Sequence, residues 1–145
     1  MSSNKFPRMI LAYHGVHPDH PFCVHPKLFV QHMKHIKQYY NVVAIDKVID
    51  DSSPLDKPNV SITFDDAYSN LIYHALPVLA EADIPAMVYA PVGYLGRYNE
   101  WDSDRPELLM PIMSRDDLKQ IYSWGFSIGS HTINHIRLEI VNWLC

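Results

Sequence analysis

The chain has 145 residues, of which 48% are hydrophobic, and it carries 12 Lys and Arg against 16 Asp and Glu. This length predicts a single domain over residues 1–145 with a hydrophobic core of its own. The balance is mildly acidic and contains no run of Lys or Arg, which excludes the electrostatic footprint of a nucleic-acid or anionic-membrane binder. Two cysteines without a C-x-x-C motif predict neither a thiolate metal site nor a disulfide framework.

The sequence predicts neither a membrane span nor a leader segment. No stretch approaches the length of a transmembrane helix. The residues from Met1 to Arg8 lead into only about five apolar residues, fewer than the core of a signal peptide requires. As written, the chain is expected to be soluble and cytoplasmic.

The first elements alternate between strand and helix. A short apolar run at 9–13 predicts a buried strand, and the proline-rich residues 14–26 predict a loop. Apolar residues at helical spacing predict a helix over 26–40 that starts at a proline. The apolar residues 42–45 then predict a second strand, and 50–58 predict a loop.

The central elements continue this pattern. Residues 60–64 predict a third strand, and apolar residues at helical spacing predict a helix over 71–79. Pro77 predicts a local irregularity in that helix because it lacks a backbone donor. Residues 86–90 predict a fourth strand.

The last elements are one long loop, one helix and one strand. Residues 91–113 show no periodicity, and structureless stretches of this length inside a domain are usually functional or disordered. Ser114 and Asp117 form a capping-box pattern that predicts a helix start, and Gly125 predicts its end. Residues 126–130 predict a fifth strand.

Polar motifs follow two of the predicted strands, 65 residues apart. Asp65 and Asp66 follow the third strand, and His131 and His135 follow the fifth. The alternation of strands and helices predicts an α/β fold with parallel strands, in which sites gather at the carboxyl ends of the strands. The four side chains can therefore meet in space.

The aspartate pair suits two different roles. Side chains of adjacent residues at a strand end point in different directions, so one can bind a metal while the other moves a proton. The alternative is a structural one, in which Asp65 and Asp66 cap the N-terminus of the following helix.

The two histidines are spaced i, i+4. A helical turn would place His131 and His135 on one face, where they can bind one ion, and the alternative is a pair of surface or capping residues. Two histidines and one aspartate give three metal ligands and leave a position open for water, which suits hydrolysis of an amide or an ester.

The motifs T-F-D-D at 63–66 and S-H-T-I-N-H at 130–135 resemble those of the polysaccharide deacetylase family (carbohydrate esterase family 4, the chitooligosaccharide deacetylase homology domain). The stretches 10–16, 76–79 and 125–132 also look like parts of that family, and the resemblance runs over residues 9–138. It implies the N-terminal part of a distorted (β/α) barrel with parallel strands.

The resemblance also implies an activity. A member of this family would be a metal-dependent hydrolase that removes acetyl groups from a polysaccharide or oligosaccharide, with N-acetyl favoured over O-acetyl and the choice between them left open by the sequence. Asp65 would be the catalytic base, and Asp66, His131 and His135 would bind a divalent metal, Zn²⁺ or in some members Co²⁺ or Ni²⁺. In the 91–113 loop, Trp101 and Tyr98 would be either sugar-stacking platforms or packing residues. Family members are often secreted or associated with the cell envelope.

The sequence departs from the family pattern at two points. The family usually has glycine where this chain has Ala67, whose methyl group has a cost if the backbone needs a positive φ there. The later motifs of the family are not found after His135, which predicts a domain incomplete at its C-terminus whose open side allows self-association.

Two alternative functions stay open on the sequence alone. One is a catalytically inactive remnant that binds only metal or sugar. The other is a different metal-dependent barrel hydrolase, although such enzymes usually carry more histidine and aspartate ligands spread over more strands.

Overall fold

A computed structural model of the chain describes residues 8–49 and 57–136. The predicted loop at 50–58 lies mostly outside these residues, and the apolar tail after residue 136 lies wholly outside them. Among the helices of the described residues, none has the combined length and hydrophobicity of a bilayer span. The elements are strands β1 (Arg8–Tyr13), β2 (Gly15–Val16), β3 (Cys23–Val24), β4 (Asn41–Val42), β5 (Asn59–Phe64), β6 (Ala86–Ala90) and β7 (Ser127–Ser130), and helices α1 (Pro26–Tyr39), α2 (Ile45–Ile49), α3 (Leu71–His74), α4 (Leu76–Glu81) and α5 (Arg115–Ser123).

A five-stranded parallel sheet forms the centre of the structure, with the order β1-β5-β6-β7 and with β4 beside the start of β5. All six residues of β5 are buried, as expected for a parallel strand covered on both faces. β1 pairs with β5 along its whole length, so β4 and β6 share the other edge of β5. The prediction of an α/β fold with parallel strands is confirmed.

Helix α1 covers one face of this sheet. Its buried residues Phe29, Met33 and Ile36 recur at helical spacing, and the His25 side chain caps its first turn. Phe29 packs edge-on against Tyr13 of β1 with ring centroids 5.4 Å apart, and lies 6.0 Å from Phe64 of β5. The aromatic cluster joins α1 to the ends of the two strands that precede the site.

Three element predictions are corrected. The strand expected at 42–45 ends at Val42, because β4 finds a partner only in the first two residues of β5, and α2 starts at Ile45. The predicted loop 14–26 contains β2 and β3, which pair with each other. The helix expected over 71–79 is two short helices divided at Ala75, ahead of Pro77.

The loop predicted at 91–113 is ordered by side chains. Asn99 is 1% exposed, and its amide accepts from the Met110 N–H and donates to the Leu108 carbonyl oxygen. Three single turns of 3₁₀ helix lie along this segment. The capping box of Ser114 and Asp117 is present as predicted.

The backbone reverses sharply after β5. Asp66 has φ of +67° and Ala67 has φ of +50°, and the Ala67 side chain is fully buried. Residues other than glycine rarely adopt this left-handed conformation, which costs roughly 1–2 kcal/mol. The sequence predicted a cost for the Ala67 methyl group if the backbone has a positive φ there. The backbone does have a positive φ, so Ala67 occupies a position that favours glycine.

Substitutions of Ala67 should separate backbone strain from packing. Ala67→Gly relieves roughly 1–2 kcal/mol of strain but loses about 0.8 kcal/mol of methyl burial and about 0.5–1 kcal/mol of chain entropy. The free energy of unfolding in urea should therefore stay within about 1 kcal/mol of the parent value. Ala67→Val should lower it by about 2–4 kcal/mol, because a β-branched residue is strained at positive φ and overpacks the core. An unchanged stability of Ala67→Val would contradict the left-handed backbone.

Candidate metal centre

The Asp66 carboxylate lies at the carboxyl end of β5 and is almost wholly buried, with 2% of the residue exposed. Its Oδ1 atom lies 3.0 Å from His135 Nε2 and 3.5 Å from His131 Nε2. One ligand atom from each residue lies within 4.8 Å of the other two, and among the described residues this is the one such group of histidine, cysteine and acidic side chains. Residues far apart in sequence thus converge at one edge of the sheet.

The two histidines reach Asp66 through an irregular turn. Thr132 has φ of +63° and His135 has φ of +50°, so the helical turn proposed from their spacing is not formed. Instead, the His131 N–H donates to the Ala90 carbonyl, which places this residue directly above the end of β6. The two histidines therefore lie close together, as their spacing predicts, but the predicted helical turn is wrong.

Backbone hydrogen bonds from the segment after β6 hold this turn. The Val92 N–H donates to the Thr132 carbonyl and the Gly93 N–H donates to the Ile133 carbonyl. A Cβ atom on Gly93 would lie 2.6 Å from the Ile133 oxygen, a distance that real Cβ atoms do not show. The approach of the two backbones therefore requires glycine at this position.

The chemistry of the three side chains fits a divalent metal ion. Asp66 Oδ1 is buried and accepts no hydrogen bond from the described residues, although two imidazole nitrogens lie close to it. An oxygen and two nitrogens that lie this close together without a hydrogen bond between them are the arrangement expected of atoms that bind one cation. Ligand bonds of about 2.1 Å in a tetrahedral site separate ligand atoms by roughly 3.4 Å, similar to the two distances from Oδ1. One carboxylate and two imidazoles would leave a fourth position open.

Asp65 precedes Asp66 at the end of β5, but it is neither in this group of ligand atoms nor among the described residues that line the adjacent cleft. Its N–H donates to the Tyr13 carbonyl, which continues the pairing of β5 with β1. The side chain is partly exposed, and within the described residues it has no hydrogen-bond or ion-pair partner. Asp65 and Asp66 therefore occupy different environments, one unpaired and accessible to water and the other buried in the centre.

A cleft of about 400 Å³ opens beside Asp66 and His135, and Tyr68 and His14 are among the residues that line it. Burial raises the pKa of the Tyr68 phenol, and the adjacent Asp66 carboxylate raises this pKa further. The phenol therefore stays protonated at neutral pH and can act as a hydrogen-bond donor. Sequence reasoning missed both residues, although His14 follows β1 as Asp65 follows β5, and its place at a strand end was a usable signal.

Of the two aromatic residues predicted as stacking or packing residues in the 91–113 loop, Trp101 lies at the cleft and Tyr98 does not. The Trp101 indole stacks on the His135 imidazole, with centroids 3.9 Å apart and planes inclined by 14°, and Tyr94 packs edge-on against it. Trp101 lines the cleft, but one of its faces is covered by His135. Tyr98 is 55% exposed and is not among the described residues that line the cleft.

A model of the family described as Polysaccharide deacetylase matches residues 52–142, more than half of the chain. The chain belongs to the polysaccharide deacetylase family. Members of this family are hydrolases that act on carbon–nitrogen bonds, so the family predicted from the two motifs is confirmed. The match favours this class over other metal-dependent barrel hydrolases.

Individual relatives agree with this assignment. The YxkH protein of Bacillus subtilis (strain 168), which carries a polysaccharide deacetylase name, is 28% identical over 135 residues, covering 90% of this chain and 44% of its own. The deacetylase PplD of Streptococcus pyogenes, solved in complex with acetate, is 25% identical with a TM-score of 0.71, covering 95% of this chain and 61% of its own.

A third relative bears on the fold alone. IcaB of Ammonifex degensii has a TM-score of 0.76 at 24% identity, covering 90% of this chain and 55% of its own. The neighbours are (β/α)-barrel deacetylases, so the predicted barrel architecture is confirmed for the part that aligns. The chain spans about half the length of the relatives it matches.

The Trp101 stack predicts an effect on metal affinity. Trp101→Ala should weaken Zn²⁺ binding about 10-fold or more, because the loss of groups that orient a ligand imidazole typically costs 10–100-fold. Trp101→Phe should keep most of the affinity, because a phenyl ring can still stack on His135. Competition with a chromophoric chelator would measure the dissociation constants, with Tyr98→Ala as the matched control. Equal affinities for Trp101→Ala and the parent chain would show that the stack does not position His135.

Proposed function

We propose that this chain forms the metal-binding face of a deacetylase that hydrolyses N-acetyl groups on a polysaccharide or oligosaccharide. The observation that supports the proposal is that His131 and His135 converge on the buried Oδ1 of Asp66 beside an open cleft, in a chain of this family. The choice of N-acetyl groups follows from the carbon–nitrogen bond specificity of the family. Acetate, with which PplD was solved, is the product expected when either an N-acetyl or an O-acetyl group is hydrolysed.

In this proposal Asp66, His131 and His135 hold a divalent cation. A site of low coordination number with imidazole and carboxylate ligands suits Zn²⁺. The same ligands also bind Co²⁺ and Ni²⁺. When bound, the cation supplies Lewis-acid activation of the acetyl carbonyl and of water. Holding the cation also compensates the buried charge of Asp66, which is otherwise costly.

Asp65 is proposed as the general base. Its carboxylate is partly exposed and has no partner within the described residues, so it can accept a proton from a water molecule. The Tyr68 phenol lines the cleft and keeps its proton, and its hydrogen bond to the Asp66 carboxylate helps to hold that group in place. Trp101 stacks on one face of the His135 imidazole and can hold the ring in this orientation.

Metal linkage is the first test of the site. Zn²⁺ at 100 times its dissociation constant should stabilise the folded chain by about 2.7 kcal/mol, and this shift in thermal unfolding should disappear with a chelator and in His131→Ala. His35→Ala provides the control, because His35 lies on α1 and packs against Tyr39, outside the centre. Equal shifts in both variants would mean that Zn²⁺ binds elsewhere.

Acetate release is the test of activity. With N-acetylglucosamine oligomers as substrate, Asp65→Asn should lower the metal-dependent rate by about 10²–10⁴-fold, the typical contribution of a general base. Its Zn²⁺ affinity should stay within a few-fold of the parent value. Tight Zn²⁺ binding by the parent chain without any acetate release would favour the alternative of a protein that only binds metal or sugar.

A further inference from the structure

We propose that His20, Cys23 and Met110 form a binding site for a monovalent copper ion, with ligands different from those of the centre at Asp66. We call these three residues the soft-ligand cluster. The inference does not rest on the proposed deacetylase function, because that function uses none of the three side chains.

The soft-ligand cluster is centred on the Cys23 sulfur. Its Sγ atom lies 3.5 Å from His20 Nδ1 and 3.6 Å from Met110 Sδ. Bonds of about 2.0–2.3 Å from one ion to nitrogen and sulfur, at trigonal or tetrahedral angles, separate the ligand atoms by roughly 3.5–4 Å. Both distances from Sγ therefore suit ligands of a single ion. Met110 is 87 residues from Cys23 in the chain, so the two sulfurs are brought together by the fold.

The backbone around the thiol fixes its position. Strand β2 pairs with β3 so that Gly15 lies opposite Cys23, and a Cβ atom on Gly15 would lie 2.5 Å from Sγ. Any larger residue at this position would therefore displace the sulfur. The Cys23 N–H donates to the His20 carbonyl at 3.1 Å, which fixes the turn that carries both side chains. Two of the three ligands are thus held by one short backbone segment.

The His20 imidazole presents a lone pair to the thiol. Its Nδ1 accepts from the Phe22 N–H at 3.3 Å, so this nitrogen is the unprotonated one in the neutral ring. An unprotonated imidazole nitrogen is the form that binds metals. The bond from Phe22 is longer than most N–H hydrogen bonds, so an ion at Nδ1 would replace only a weak interaction.

The Asn70 amide supports both sulfurs from outside the cluster. Its Nδ2 donates to Met110 Sδ at 3.3 Å and to Cys23 Sγ at 3.6 Å. Its Oδ1 accepts from the Val16 N–H at 3.3 Å, which fixes the orientation of the amide. Outer partners of this kind orient ligands and tune their basicity in metal sites. A cysteine that serves only as a small packing residue needs neither an amide donor nor a facing imidazole.

The ligand set favours Cu(I) over a divalent ion. Thiolate and thioether sulfurs are soft ligands that select Cu(I), whereas a thioether is not among the usual ligands of Zn²⁺. Among the described residues, no further histidine, cysteine or acidic side chain joins His20 and Cys23 to make a group of three. His20 and Met110 line the cleft, so an ion from solvent can reach them. The carboxylate and imidazoles at Asp66 suit a divalent ion instead, so the two sites select different metals.

The test is anaerobic titration of the full chain with Cu(I), in excess Zn²⁺ and in competition with the chromophoric chelator bicinchoninate. Cys145→Ser serves as the parent chain, because it leaves Cys23 as the one cysteine of the sequence. We expect one Cu(I) per chain. Cys23→Ser should weaken binding more than about 100-fold, beyond the 10–100-fold typical of a group that only orients a ligand. Met110→Leu keeps the side-chain volume but removes the thioether, and should weaken binding about 10-fold.

Met33→Leu is the matched control, because Met33 is buried on α1 and is not part of the cluster. It should leave the Cu(I) affinity unchanged. A cooperative thermal transition of each variant, close to that of the parent, shows that the variant is folded. X-ray absorption at the copper edge should show both sulfur and nitrogen ligands.

Two results would overturn the inference. One is equal Cu(I) affinity of Cys23→Ser, Met110→Leu and the parent chain, or no binding in competition with the chelator. The other is a loss of Cu(I) binding in His131→Ala with full binding in Cys23→Ser, because copper would then occupy the centre at Asp66. Neither result depends on whether the chain releases acetate, so the inference and the proposed function stand or fall separately.

Discussion

Burial of the Asp66 carboxylate is the constraint around which the rest of the site is arranged. The residue is 2% exposed, and its Oδ1 accepts no hydrogen bond from the described residues. An ionised carboxylate in such a place costs several kcal/mol unless a cation or strong donors compensate it. The turn that carries His131 and His135 converges on this oxygen, and the hydrogen bonds from Val92 and Gly93 hold the turn in place.

Backbone strain is concentrated around the same oxygen. Asp66, Ala67, Thr132 and His135 all have positive φ, and each residue of this kind costs roughly 1–2 kcal/mol. The fully buried strand β5 and its pairing with β1 and β6 provide the packing that tolerates this strain. Strain that persists on both sides of one buried carboxylate is typical of a preorganised functional site.

The cleft wall shows how the 91–113 segment serves the site without regular secondary structure. The buried Asn99 side chain does what the backbone hydrogen bonds of a helix or sheet would otherwise do. It forms hydrogen bonds to the backbone at Leu108 and Met110, and it also holds Asp102. The same segment places Trp101 on His135. One anchored loop therefore connects the orientation of a proposed metal ligand with the surface that a substrate would meet.

The sequence by itself determined the parallel α/β class, the strands at 60–64 and 86–90, the first helix, the capping box at Ser114 and the family, because each of these depends on local periodicity or on a short motif. Only the tertiary structure decided that the strand after α1 stops at Val42, since its end is set by where β5 offers a partner. It likewise decided the non-helical turn of His131 and His135 and the stack of Trp101 on His135. These features depend on positive φ angles and on contacts between residues distant in sequence, and neither leaves a periodic signal in the chain.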